Sequence, residues 1–223
     1  MKSDFKSNFS QRASNGWTPL MILAMHGHTE LVKQVTEFQV DPNETDEFGA
    51  TALHWATRKG HLNTVKMLVE QCSADVSLQD ADGNLPLHLA VKAGDFDIAS
   101  FLMEINPSLC QTTNLVGDDA LATACIGGNL EIVKKIVSLT GYDPRKQDAN
   151  GFTALHFAVD RGHVKTVCFL CSELGQSMSN GDDLEVADEK GRTPVFFAKT
   201  LDILQILVED GKANINVVDK QGL

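Results

Sequence analysis

The sequence predicts an all-α fold, a linear solenoid of stacked helix–turn–helix units. Two observations carry this reading. Glycine recurs at Gly16, Gly49, Gly83, Gly117, Gly151, Gly191 and Gly222, with spacings of 33, 34, 34, 34, 40 and 31 residues. A second glycine follows the first by eleven residues at Gly27, Gly60, Gly94, Gly128 and Gly162, and each of these leads into an apolar stretch. A sequence period of this length marks units that cannot bury their own apolar face and bury it against their neighbours instead.

Each element of one unit follows from its residues. The opening glycine leads into a phrase such as Thr18-Pro19-Leu20, Thr51-Ala52-Leu53-His54, Leu85-Pro86-Leu87-His88, Asp119-Ala120-Leu121-Ala122, Thr153-Ala154-Leu155-His156 or Thr193-Pro194-Val195-Phe196. Thr or Asp there starts a short helix, and Pro sits in the first turn, where its missing N–H removes no bond. The second glycine ends that helix within about ten residues. A second helix follows with apolar residues at helical spacing, as in Leu62, Val65, Leu68 and Val69. Turns such as Asp80-Ala81-Asp82-Gly83 and Asp148-Ala149-Asn150-Gly151 close the unit.

This pattern resembles the ankyrin-repeat family, whose signature is a period near 33 with Thr-Pro-Leu-His-x-Ala. The resemblance covers residues 14–223, after an N-terminal flank at 1–13. The repeats are placed at about 14–46, 47–80, 81–114, 115–148, 149–188 and 189–219, and a seventh starts at 220–223. Residues 1–13 contain no upstream repeat, so a natural start at Met1 is expected. The resemblance implies an ankyrin-repeat solenoid with β-hairpin-like turns between the helix pairs, used as a protein-binding scaffold, and gives no particular partner.

Three repeats depart from the pattern. Repeat four has Asn114-Leu115-Val116-Gly117 for the Asp-x-x-Gly turn, and Ala122 where the family has His. Broken local rules mark either neutral drift or a functional or strained site. Repeat five carries six extra residues within 172–187, a Ser-, Gly-, Asn- and Asp-rich stretch expected to form a mobile surface loop. Repeat six is three residues short, and Lys199-Thr200-Leu201-Asp202 replaces its Gly-His turn. It lacks a polar capping repeat, and the expectation is a fragment of a longer protein or a divergent cap.

Composition narrows the function. The chain has 223 residues, 43% hydrophobic and 22% charged, with a net charge of −11. That balance argues against nucleic acid or an anionic membrane as partner, and no apolar run is long enough for a membrane span. Five scattered cysteines and the absence of a leader-like N-terminus point to a reducing, cytoplasmic compartment. Neither a metal site nor a cofactor site is expected. Cys168 and Cys171 are a single C-x2-C pair, whereas zinc takes four ligands. Repeat alignment predicts Cys171 buried and Cys168 accessible. Asp80–Asn84 fails the calcium-loop grammar, which would place Leu78 at the first ligand. The sequons at Asn8 and Asn43 are not expected to be used. By the resemblance, His54, His88 and His156 bond to neighbouring backbone, and the chain is expected not to be an enzyme.

The family's usual contact positions are the two residues before the opening glycine, the one after it, and the two before the second glycine. Carried onto this chain, they hold six basic and five acidic residues, close to neutral in a strongly acidic protein. They also hold large apolar residues, including Trp17 and Met25, for which an unusual capping surface is a second reading. Aromatic and Arg side chains anchor protein interfaces. The expected partner-binding group is Phe48, Arg58, Leu115, Val116, Ile126, Phe152 and Arg161. The predicted function is a monomeric, non-catalytic adaptor that binds a partner protein through its concave face. The alternatives are an N-terminal regulatory ankyrin domain of a longer enzyme or ion channel, or a microbial effector acting in a host cell.

Overall fold

The computed structural model describes residues 13, 16–139, 143, 145–177, 185–211 and 213–222. All regular structure among these residues is helical. They fall into two compact units, residues 1–116 and 117–223. The first holds α1 (Pro19–Met25), α2 (Thr29–Thr36), α3 (Ala52–Arg58), α4 (Leu62–Glu70), α5 (Pro86–Ala93) and α6 (Phe96–Ile105), then a 3-10 turn at Pro107–Gln111. The second holds α7 (Ala120–Gly127), α8 (Leu130–Ser138), α9 (Ala154–Arg161), α10 (Val164–Ser177), a 3-10 turn at Pro194–Phe197 and α11 (Leu201–Gln205). A π-helical turn, Ile206–Asp210, continues α11.

Each unit is a stack of helix pairs. In the first, α1 packs on α3 and α3 on α5, while α2 packs on α4 and α4 on α6. In the second, α7 packs on α9 and α8 on α10. The apolar positions at helical spacing face these contacts: Leu53, Val65, Leu68, Leu87, Ile98 and Leu102 are fully buried in the first unit, and Leu121, Ile132, Val133, Ile136 and Val167 in the second. Each buried Leu, Ile or Val contributes about 1.5–3 kcal/mol. No such side chain could be buried by a lone pair of short helices.

Side-chain oxygens start the first helices. Thr18, Thr51 and Thr153 accept from the N–H of Met21, His54 and His156 at 3.3, 3.4 and 3.5 Å. In repeat four the Asp119 carboxylate accepts from Ala122 N–H at 3.0 Å, so this departure keeps the cap and changes its chemistry. The turns between repeats are held by aspartates. Asp80 Oδ1 accepts from the N–H of Asp82 and Asn84, and Asp148 Oδ1 from those of Asn150 and Phe152. Successive turns join by one backbone bond each, Ala81 N–H to Phe48 O at 2.8 Å and Leu115 N–H to Asp82 O at 3.0 Å. The hairpin-like turns thus touch without extending into a strand ladder. Gly83 has φ +76°, and a Cβ there would lie 2.6 Å from Leu115 N, so the close approach of two turns needs a residue without a side chain.

The insertion of repeat five lengthens its second helix. α10 has 14 residues, against nine in α4 and α8. The remainder of the expected loop, 178–184, lies outside the described residues, as do the flank at 1–12, its sequon at Asn8, and the contact positions Ser14 and Asn15. Repeat six spends its three-residue deletion on its first helix, which shrinks to the 3-10 turn. Hydrogen exchange is expected to show residues 191–223 opening before residues 83–116, because repeat six lacks the inter-helix Gly-His turn and its first helix is reduced to a 3-10 turn. Equal protection of the two segments would contradict this.

Candidate functional site

Two histidine linkages hold neighbouring repeats together. In the first, the His54 Nδ1 accepts the Thr51 N–H at 3.1 Å, so its Nε2 carries the proton and donates to Asn84 O in the next repeat at 3.1 Å. His156 repeats this geometry with Thr153 and with Arg192 O at 3.0 and 3.1 Å. Burial pushes both imidazoles below their ordinary pKa, against smaller opposing effects of the bonds they donate to Asn84 O and Arg192 O and of nearby aspartates. In the second linkage, the His61 Nε2 donates to Met25 O, and the His163 Nε2 to Ile126 O, each at 3.0 Å. These rings are therefore committed to the scaffold, as the resemblance implied for His54 and His156.

The departures at repeats four and six are compensated. With His absent at position 122, Lys146 reaches back and its Nζ lies 3.0 Å from Asp119 Oδ2. The imidazole's place becomes a cavity of about 20 Å³, lined by Ala122, Lys146, Asp148, Phe152 and Phe157 among others. In repeat six, the Lys199 Nζ donates to Asp160 O at 2.7 Å and to Asp160 Oδ1 at 2.9 Å. Asp160 stands two residues before Gly162, just as Met25 and Ile126 stand before Gly27 and Gly128. The lysine amine thus takes over the bond that His61 and His163 make elsewhere.

The seven expected contact residues occupy distinct settings. Phe48, Leu115 and Val116 are 58, 78 and 70% exposed on turns of the first unit. Single backbone bonds link the turn of Phe48 to that of Ala81–Asp82, and the latter to the turn of Leu115, so the three residues share one edge of the unit. Arg58 ends α3, with its guanidinium carbon 5.1 Å from the Trp55 ring centroid and Nη2 3.6 Å from Asp80 Oδ2. Lys59 and Lys92 are also exposed, at the ends of α3 and α5. In the second unit Arg161 is exposed at the end of α9, its Nε 3.7 Å from Asp160 Oδ2. Burial holds the carboxyl of Asp118 above its usual range, helped by Asp148 and Asp119 and opposed by the Arg161 charge. Ile126 is half-buried and bonded through its carbonyl to His163. Phe152 is also half-buried, with ring centroids 5.2 Å from His156, 5.4 Å from Phe157 and 5.1 Å from Phe197.

The surroundings of Trp55 were not foreseen from the sequence. Its Nε1 donates to Asp46 Oδ2 at 2.9 Å, and its ring lies 4.8 Å from that of Trp17. A Trp beside the repeat histidine, where repeats three and four have Leu89 and Thr123, was the available signal. Cys171 is buried and its thiol pushed up to about 12 by burial, while Cys168 is exposed, as aligned. Among the described residues no group of three or more His, Cys, Asp or Glu could hold a metal, and no helix is long and apolar enough to cross a membrane.

The periodic caps, turns and histidine bonds agree with comparisons to known proteins. A family profile described as ankyrin repeats (3 copies) matches residues 2–80, 20–112, 68–148, 87–182 and 121–219 in overlapping registers. The chain is 29% identical over 201 residues to the neurogenic locus notch homolog protein 1 of Danio rerio, covering 83% of this chain and 8% of that protein. It is 30% identical over 194 residues to the nuclear factor NF-kappa-B p105 subunit of Gallus gallus, covering 82% of this chain and 19% of that one. With inversin of Canis lupus familiaris it shares 30% identity over 211 residues, 92% of this chain and 18% of inversin. The chain therefore spans a small part of the length of these relatives. Family profile and repeat geometry agree from the first helix pair to the last, and the chain belongs to the ankyrin-repeat family, whose repeats serve as protein-interaction modules.

Proposed function

We propose that this chain is a non-catalytic adaptor that recognises a partner protein through the side formed by its turns and first helices. The observation that carries the reading is the exposure of Phe48, Leu115 and Val116 along one edge of the first unit. Large apolar side chains gain nothing from water there, and clusters of them mark interaction sites. The exposed ends of α3 and α5 add Arg58, Lys59 and Lys92 in a chain of net charge −11. This pairing fits a partner segment with apolar anchors and acidic residues. Arg161, with Ile126 and Phe152 half-buried near it in sequence register, provides a corresponding surface on the second unit. Localisation in the cytoplasm and a monomeric state belong to the same reading.

Two variants test it separately. Phe48→Ser/Leu115→Ser/Val116→Ser changes the first unit, and Phe152→Ser/Arg161→Glu the second. Affinity capture beside the parent chain, with mass spectrometry of what is retained, is expected to yield a partner held by the parent and lost by the first variant. Circular dichroism melting should be within a few degrees of the parent for that variant, since exposed residues carry little stability. A partner retained equally by both folded variants removes the proposed face.

A second reading is favoured by the small share of its relatives that the chain spans: a regulatory ankyrin segment of a longer enzyme or channel. One relative, 24% identical over 203 residues and 16% covered, is the transient receptor potential cation channel subfamily A member 1 of Drosophila melanogaster. An immediate stop codon after Leu223 in the transcript would remove this reading.

A further inference from the structure

Repeat one is the only repeat in which histidines flank the inter-helix glycine on both sides, as His26-Gly27-His28. His26 caps the C-terminus of α1, and His28 the N-terminus of α2. Gly27 between them has φ +71°. This left-handed turn sets the two rings side by side, with centroids 6.0 Å apart and planes at 13°. Both rings are exposed.

These rings are not committed to the scaffold as their counterparts are. His28 stands at the position of His61 and His163, whose Nε2 atoms donate to a carbonyl of the preceding repeat. Among the described residues no hydrogen bond engages either ring nitrogen of His28, and its side chain does not cap α2. His26 uses one nitrogen only. A carbonyl can only accept, so its Nδ1 donates to Ile22 O at 2.8 Å, and the neutral ring holds its lone pair on Nε2. A histidine that ligates a metal has the same arrangement, with one nitrogen donating to a backbone carbonyl and the other bound to the ion.

We infer that His26 Nε2 and the His28 imidazole form a two-histidine site for a zinc-type divalent ion, with water in the remaining positions. Imidazole nitrogen suits zinc. Two rings on one tetrahedral ion, each nitrogen about 2.0–2.1 Å from the metal, have centroids about 5 Å apart. The 6.0 Å separation closes to this by rotation of two exposed side chains about their own torsions. The chain's net charge of −11 favours a cation. Two protein ligands leave the site open, unlike the closed four-ligand sites of structural zinc. The ion ties the end of α1 to the start of α2 and stabilises repeat one as its occupancy rises. None of the seven proposed contact residues takes part, so this site and the partner-binding side can fail separately.

The test titrates the folded chain with zinc chloride by calorimetry, in a non-chelating buffer with a non-thiol reductant. One zinc per chain is expected, with ring-nitrogen NMR signals shifting at His26 and His28. His26→Ala and His28→Ala are each expected to weaken binding at least about tenfold, since each removes one of the two protein ligands. Both rings are exposed, so both variants should melt within a few degrees of the parent. Cys168→Ser controls for the exposed thiol and is expected to leave the affinity unchanged within about twofold. Zinc is also expected to slow hydrogen exchange of residues 26–32 in the parent and not in the two histidine variants. Absence of saturable binding would overturn the inference. So would binding that either histidine variant retains within about twofold, or that Cys168→Ser abolishes, which would assign the ion to the thiol.

Discussion

Replacing His54 with alanine is expected to destabilise the first unit by about 3–5 kcal/mol, the range found when a buried ring is removed. The imidazole is 0% exposed, and both nitrogens are in use. Truncation opens a void between two repeats. It also leaves the Thr51 N–H without its acceptor and Asn84 O without its donor, and each orphaned group costs about 1–3 kcal/mol. The melting temperature is expected to fall by about 2–4 °C per kcal/mol for a chain of this size. His26→Ala is the control. That ring is exposed, and its Nδ1 lies 2.8 Å from the Ile22 carbonyl of the preceding turn, so its loss should cost about 0.5 kcal/mol or less. Equal midpoints in urea for the two variants would contradict the linkage role of His54.

The same burial gives the stability a pH dependence. The folded pKa of His54 and His156 lies below the ordinary value, so the unfolded chain binds the proton more readily. Their contribution is complete above about pH 6.5, the ordinary histidine value. It declines as pH falls from there toward the folded pKa, because a proton on Nδ1 would displace the Thr51 or Thr153 N–H. Urea midpoints measured between about pH 7.5 and 5 are expected to decrease on acidification, and less so in His54→Gln/His156→Gln. A midpoint that rises on acidification would refute this.

Gly128→Ala is expected to cost about 3 kcal/mol, from two causes. Gly128 has φ +70°, where an L side chain costs about 1–2 kcal/mol. The new methyl would also lie 2.5 Å from His163 Nδ1. The ring must therefore move, and its bond to Ile126 O is lost. The two causes are separable by a double-mutant cycle. His163→Ala removes the ring, so adding Gly128→Ala to it should cost only the backbone part, leaving a coupling of at least about 1 kcal/mol. Additive effects would show that glycine and histidine at these positions are unrelated. The glycine of one repeat makes room for the histidine of the next at Gly128 and His163 as it does at Gly27 and His61, where a Cβ would lie 2.8 Å from Nδ1.

The role of Thr18, Thr51 and Thr153 was legible in the sequence, since a cap bonds to residues three positions away and its geometry is local. The second-helix core was legible too, because Val65 and Leu68 face inward by helical period alone. The candidate surface was legible only in part. Phe48, Leu115 and Val116 stand exposed as the contact pattern implied, whereas Phe152 is half-covered by Phe197, 45 residues away in the chain. No local pattern announces such a contact, since it depends on how the shortened sixth repeat packs back.

The sequence by itself determined the period, the helix starts and stops, and the identity of the repeat, all of which rest on interactions within a few residues. Only the tertiary structure decided how the irregular repeats remain joined. Lys199 replaces a histidine 39 residues from its carbonyl partner Asp160, and Lys146 meets Asp119 across 27 residues. A lysine is long enough to restore a bond from a different backbone position than the side chain it replaces. Such compensation leaves no in-register trace in the sequence, and it becomes visible only when neighbouring repeats are placed side by side.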